Sequence, residues 1–318
     1  MVETVIDKFK SEDFPITFEV PSPRGGNVGK YLDRIRDYDF LDKVVALNVC
    51  NNPVGLVRID PAPYSGRILD ELEIDPIVHL TCRDSTLSGL QRWLLGSDSL
   101  GIKTILAMTG DYAVGDYPTE EKVDHINSLE LITGIKKYLN NGKLMPELSV
   151  APSRQRNRYL TEVEEIEKPT DFVVGGVALP ERKNEENYAA MKVEAGVDFF
   201  QTQISYDAQK VVDFIENLEE RTDDCPPILV GTTPFSTEKE MNRLLSSVPQ
   251  VNIPSKVERR LSNSDNFAEE SVSFTVDFFQ KILDLMDERG LKTDIGAHII
   301  PVRFEGRSGE VIKRLSDI

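Results

Sequence analysis

Eight short runs of apolar, mostly β-branched or aromatic residues recur along this chain, and a helix-length stretch separates most of them from the next. They occupy residues 16–20, 44–49, 77–81, 104–108, 172–177, 199–204, 228–231 and 296–302. Continuous apolarity, in place of strict alternation, is the pattern of parallel strands covered on both faces. Parallel neighbours need a crossover, and helical spacing over 31–40, 87–100, 128–139, 185–195, 208–219 and 308–316 supplies it. A longer helical section over 236–290 breaks near Pro254 and Asn263. Eight such units predict an α/β fold, a (β/α)8 barrel, formed as one domain over residues 1–318. Residues 143–170, with Pro146, Pro152, a basic patch and an acidic, helix-like stretch at 162–167, read as an insertion before strand five. A doubly wound open sheet is the competing fold, but no GxGxxG follows the first strand.

Charge narrows the partners. The 54 Asp and Glu against 37 Lys and Arg leave −17 over 318 residues, which opposes a broad nucleic-acid surface. No apolar run approaches the roughly 20 residues of a membrane span. The first residues lack the basic start and long apolar core of a secretion signal, so a cytoplasmic protein is expected. Cys50, Cys82 and Cys225 form no CxxC, and no His, Cys, Asp or Glu group has metal-ligand spacing. Neither a disulfide framework nor a metal is expected.

In a barrel of this kind the chemistry sits at the C-terminal ends of the strands, so polar residues closing apolar runs carry the information. Glu19 closes the first strand between Phe18 and Val20. It faces either a basic partner or a low-dielectric cavity, which would raise its pKa. Asp111 follows Met108-Thr109-Gly110 and is either a fixed charge beside a ligand or a turn residue. Gln201 and Gln203 share one face of the sixth strand, as a ligand contact or as a polar barrel layer. His79 and His298 lie inside apolar runs, where a satisfied core residue is the commoner role. Trp93 lies on the apolar face of a helix and reads as core packing.

Taken in order, these segments resemble the 5,10-methylenetetrahydrofolate reductase family. The resemblance rests on Phe18-Glu19-Val20-Pro21-Ser22-Pro23, His79-Leu80-Thr81-Cys82-Arg83-Asp84, Ile105 to Asp111, Lys192-Val193-Glu194-Ala195-Gly196, Phe200-Gln201-Thr202-Gln203 and Asn252-Ile253-Pro254. It runs from about residue 14 to the last helix. The block from His79 to Gly101, with Gly115-Asp116-Tyr117-Pro118 and Asn127-Ser128, is most similar to the reductase module of bifunctional homocysteine methyltransferases.

What the resemblance implies is a soluble flavoprotein of one-carbon metabolism and methionine biosynthesis. NADH or NADPH reduces FAD, leaves, and is replaced by methylenetetrahydrofolate, which the flavin reduces. Glu19 matches the family's general acid. Asp111 matches an acid between pterin and flavin, and Gln203 an amide that bonds pterin or nicotinamide. His79, Thr109, Gly110, Asn127 and Lys192 fall at FAD-contact positions, and Arg303 near a substrate arginine. A homo-oligomer is implied, with a redox partner subunit as an option. The sequence also departs from the family pattern. Thr109 replaces an Arg, Gly175 and Leu179 replace a flavin-contacting Tyr and His, and Leu244 replaces an aromatic on the folate side chain. These departures motivate a flavin-independent methylene-tetrahydropterin reductase as the alternative, and a non-catalytic pterin-binding subunit as a third reading. Arg154, Arg156 and Arg158 would be phosphate or polyglutamate contacts, or a solvated charged loop.

Overall fold

All eight apolar runs are strands, and the sheet they form closes on itself. In this computed structural model, which describes residues 4–110, 123, 125–146, 163–248, 251–302 and 304–318, the strands are β1 Ile16–Val20, β2 Ala46–Val49, β3 Pro76–Thr81, β4 Thr104–Met108, β5 Val173–Ala178, β6 Phe199–Thr202, β7 Ile228–Thr232 and β8 Ile295–Ile299. Each pairs in parallel with the next in chain order, and β8 returns to β1 through Thr17 and His298. Helix α1 (Val5–Ser11) precedes the barrel. The outer layer is α2 Gly29–Arg36, α3 Pro61–Leu72, α4 Leu87–Ser99, α5 Ser128–Lys137, α6 Glu185–Glu194, α7 Ala208–Glu219, α8 Glu238–Ser247, α9 Ser255–Ser262, α10 Phe267–Arg289 and α11 Ser308–Leu315.

Period-two alternation sends one set of strand residues outward and the other into the lumen. Phe18, Val49, Leu80, Ala107, Val174, Phe200, Val230 and Ala297 face the helices and build the main core with Leu32, Ile68, Leu94, Leu131, Ile215, Phe279 and Val311. The inward set begins with Ala46, Ile77, Leu106, Val173, Phe199 and Leu229, a floor against which α1 packs Val5 and Phe9. Phe9 and Phe199 meet edge to face, ring centroids 5.3 Å apart. Above that floor the inward positions turn polar.

Two helices escaped the sequence reading. Prolines at 61 and 63 look like turn punctuation, yet Pro61 sits in the first turn of α3, where its missing N–H is no loss. Asp60 caps that helix by accepting from the Ala62 N–H, and the Trp93 indole donates to the same carboxylate oxygen at 2.8 Å. Trp93 therefore packs on the core edge and also pins a helix start. Helix α1 was missed because seven residues carry too little periodicity to stand out.

The acidic stretch at 162–167 is not helical where it is described. Glu165 pairs with Lys143 as an isolated antiparallel bridge, and the Leu144 N–H donates to the Glu164 carbonyl. The cross-chain backbone bonds outweigh a short helix whose acidic side chains repel one another. The Gln91 amide ties this stem to α4 by accepting from the Met145 N–H at 2.6 Å. Arg154, Arg156 and Arg158 lie outside the described residues.

Gly296 illustrates how tightly the barrel closes. A Cβ there would stand 2.2 Å from the Pro15 carbonyl oxygen, a backbone atom that cannot move alone. Gly296→Ala is therefore expected to cost about 3 kcal/mol. An unchanged urea midpoint would contradict that close approach.

Candidate active site

The polar lumen is organised around one amide. Asn48 stands inside an otherwise apolar β2, wholly buried. Its Oδ1 lies 3.2 Å from His79 Nε2 and its Nδ2 3.2 Å from His298 Nδ1. An amide nitrogen only donates and an amide oxygen only accepts, so both tautomers follow. His79 carries its proton on Nε2 and keeps a lone pair on Nδ1. His298 accepts at Nδ1, where Thr17 Oγ1 also lies at 3.1 Å, and carries its proton on Nε2.

That second proton points at Glu19. His298 Nε2 is buried, has no hydrogen-bond partner, and lies 3.8 Å from Glu19 Oε2. Burial raises the Glu19 carboxyl, but the neighbouring His298 and His79 imidazoles and a hydrogen bond from Cys50 together hold it below its ordinary value. Of the two environments the sequence allowed, the partnered one is found, and the raised pKa of an unpartnered cavity is reversed. Glu19, Cys50 and His79 come from the ends of β1, β2 and β3, and one ligand-type atom from each lies within 4.8 Å of the others.

Burial pushes His79 down to about 4, against a weaker upward pull from Glu19. A depressed imidazole favours the fold in its neutral state, so its contribution is complete above about pH 6.5, where the unfolded ring titrates. Stability then falls by up to about 3 kcal/mol as pH drops from 6.5 towards 4. Glu19 adds a loss only below its own ordinary range. Urea midpoints measured from pH 7 to 4 are expected to lose most of this slope in His79→Gln.

A second set of residues forms a continuous wall along β4, α5 and α6. Thr109 Oγ1 lies 3.5 Å from Ser128 Oγ, and Ser128 Oγ 3.4 Å from the Tyr188 hydroxyl. Lys192 Nζ stands 4.6 Å from the centroid of the Tyr188 ring and donates to the Val177 carbonyl. Asn127 accepts from the Leu129 and Glu130 N–H groups in a capping box that fixes the start of α5. Gly110 has φ +98°, with its Cβ position 3.0 Å from the Thr81 Cβ, so the turn after β4 requires glycine. Four of the five proposed flavin-contact positions therefore share one wall, and His79 belongs to the Glu19 group.

Gln203 lies just past β6, its side-chain oxygen accepts from the Ile204 N–H, and it lines a cavity of about 380 Å³ with Leu179, Glu181, Ser205 and Arg182, whose guanidinium carbon lies 5.3 Å from the centroid of the Tyr188 ring in that wall. Gln201, two residues back and buried, keeps Oε1 without a partner. Asp111 and Arg303 lie outside the described residues. Gly175 is mid-strand, and the Phe199 ring comes within 2.4 Å of its Cβ position. Its small size is a packing requirement of the floor. Leu244 packs with Ile204, Tyr206, Phe235 and Met241 in a separate apolar cluster.

Thr17, Asn48, Cys50, Ser128 and Tyr188 were not assigned a site role from sequence. For Asn48 the signal was present, since a polar residue at an inward parity of a buried strand needs a partner.

The closed parallel barrel, with a carboxylate, a thiol and two imidazoles at its C-terminal mouth, defines a (β/α)8-barrel protein with a small-molecule site. The family model "Methylenetetrahydrofolate reductase" matches residues 4–316. A probable methylenetetrahydrofolate reductase (NADPH) of Caenorhabditis elegans is 21% identical over 325 residues, covering 99% of this chain and 43% of that protein. Methylenetetrahydrofolate reductase (NADH) 1 of Arabidopsis thaliana is 23% identical over 292 residues, covering 88% and 46%. The chain thus spans less than half the length of these relatives. A Clostridium thermocellum protein solved with two copies of 5-methyl-5,6,7,8-tetrahydrofolic acid shares the fold, with TM-score 0.65, 19% identity and coverage of 97% and 96%. The chain belongs to the methylenetetrahydrofolate reductase family, a family of oxidoreductases.

Proposed function

We propose that this barrel reduces 5,10-methylenetetrahydrofolate to 5-methyltetrahydrofolate at the expense of NADH or NADPH, with FAD as the bound redox group. The observation that carries the reading is Glu19, a carboxylate at the mouth of a family barrel, faced by a proton-bearing His298 nitrogen 3.8 Å away. When bound, FAD supplies a hydride acceptor and donor, which lets nicotinamide and folate occupy the mouth in turn.

The residues present fit such a group. Gln201 Oε1 is a buried polar atom without a partner, the condition that a donor-bearing heterocycle relieves. Lys192 is a buried cation suited to a phosphate on the flavin's tail, beside Thr109 and Asn127 on the same wall. Glu19 delivers a proton to the ring nitrogen of the folate as the five-membered ring opens, and His298 holds the carboxylate in place before and after. Thr17 and Asn48 fix the His298 tautomer, so the N–H faces Glu19 in every cycle. Gln203 and Arg303 are assigned to the substrate, and Asp111 to a catalytic position that touches both the pterin and the flavin.

The visible spectrum of freshly purified protein tests this reading. A flavin spectrum bleached anaerobically by NADH or NADPH, and restored by methylenetetrahydrofolate, is the expected result. A colourless protein that still oxidises a nicotinamide with the folate would select the flavin-independent reaction. One that binds neither flavin nor folate would overturn both.

A further inference from the structure

We propose that the barrel mouth binds a thiophilic divalent cation, Zn2+ or one like it, between the Glu19 carboxylate, the Cys50 thiolate and a His79 ring nitrogen, and that the bound ion silences Glu19 as a proton donor. The binding stands on geometry alone, whereas the silencing rests on the proposed reduction.

Sequence spacing hides this set because its members are 31 and 29 residues apart. The barrel brings them together by placing the ends of three successive parallel strands side by side. Their ligand atoms already lie within 4.8 Å of one another. Bonds of roughly 2.0 Å to nitrogen and oxygen and 2.3 Å to sulfur require ligand atoms about 3.3–3.8 Å apart, so side-chain rotations of about an ångström complete the site. Thiolate and imidazole select Zn2+ over Mg2+ or Ca2+. Carboxylate and thiolate together balance a double positive charge, and the Cys50 proton leaves to solvent on binding.

The surroundings are those of a ligand shell. Asn48 Oδ1 accepts a hydrogen bond from the His79 Nε2–H, which leaves the Nδ1 lone pair available, and a ligating histidine commonly donates its other N–H to such an oxygen. An independent observation points the same way. His298 Nε2, on a side chain 1% exposed, is aimed at the site with no partner. Three protein ligands leave a fourth position for water, and that N–H is placed to bond it. With the ion in place the Glu19 lone pair is committed to metal and carries no proton to a substrate.

Cobalt(II) is the probe. Chelator-treated, dialysed protein titrated with Co2+ should give difference spectra with a thiolate-to-cobalt band in the near ultraviolet and d–d bands in the visible, saturating at one ion per chain. Zn2+ should bleach them. Cys50→Ser should erase the near-ultraviolet band, and Cys225→Ser should retain it. Asn48→Ala should weaken affinity about 10- to 100-fold. Absence of the band at tenfold excess Co2+, or its survival in Cys50→Ser, overturns the site. Reductase assays of the stripped protein separate the two claims. Turnover that Zn2+ abolishes supports the silencing, and turnover indifferent to saturating Zn2+ refutes it. A stripped protein inactive with either nicotinamide refutes the proposed reduction and leaves the cobalt result standing.

Discussion

Glu19→Gln is expected to lower the rate of methylenetetrahydrofolate reduction by about 10²- to 10⁴-fold, the usual contribution of a positioned acid. Reduction of the flavin by nicotinamide should continue near the parental rate, because that hydride transfer takes no proton from Glu19. The amide keeps the size of the carboxyl and can still meet the His298 N–H, so the barrel should remain folded and flavin-loaded. The acid is the protonated carboxyl, and neighbours hold it below its ordinary range in the ligand-free protein. The folate half-reaction should therefore slow as pH rises, while the nicotinamide half-reaction lacks that limb. Stopped-flow absorbance reads both halves separately. Equal losses in the two would remove Glu19 from the proton-donor role and make it a structural residue of the mouth.

The second large effect concerns Lys192, where stability and ligand binding should move in opposite directions. The side chain is 2% exposed. Burial pushes its pKa down to about 8, and Glu185 draws it back only in part. Glu185 itself is occupied, bonded to Arg182 and to the Leu179 N–H. A lysine with a depressed pKa is held in a form the fold disfavours. Its cost is full below about pH 8 and fades as pH rises towards its ordinary value of 10.5. A shift of that size is worth about 3 kcal/mol, and loss of the bond to the Val177 carbonyl returns about 1 kcal/mol. Lys192→Met, which keeps the aliphatic stem against Gly176, should therefore stabilise the ligand-free protein at pH 7 by about 2 kcal/mol. FAD affinity should fall at least about tenfold with loss of a charge-assisted phosphate contact. Calorimetry of the apoprotein and flavin fluorescence titration give the two numbers. A stabilised variant with unchanged FAD affinity would place the flavin elsewhere. A destabilised one would mean that the charge is better compensated than Val177, Tyr188 and Glu185 suggest.

The barrel was legible because burial on both faces writes a strand as an unbroken apolar run. All eight runs became strands, and their boundaries moved mainly at the C-terminal ends, where apolar residues continue past the strand, as at 203–204 and 300–302. Glu19 was legible for the complementary reason, as a charge in a place that tolerates few. The environment that tunes it was not. Cys50 reaches Glu19 through the parallel pairing of β1 with β2, and His298 only through barrel closure, since β1 and β8 are neighbours in space and nearly 280 residues apart in the chain. The direction of the Glu19 pKa followed that closure and so could not be read from Phe18 and Val20. Ser128 and Tyr188 hid for another reason. Each sits on a helix where hydroxyls are ordinary surface residues, and only their 3.4 Å approach makes them part of a wall.

Helix α1, seated across the floor by Val5 and Phe9, covers the N-terminal end of the barrel, so among the described residues the polar lumen around Glu19 faces the opposite mouth. A cation lodged among Glu19, Cys50 and His79 would stand in that doorway, and one small ion would obstruct every later visitor.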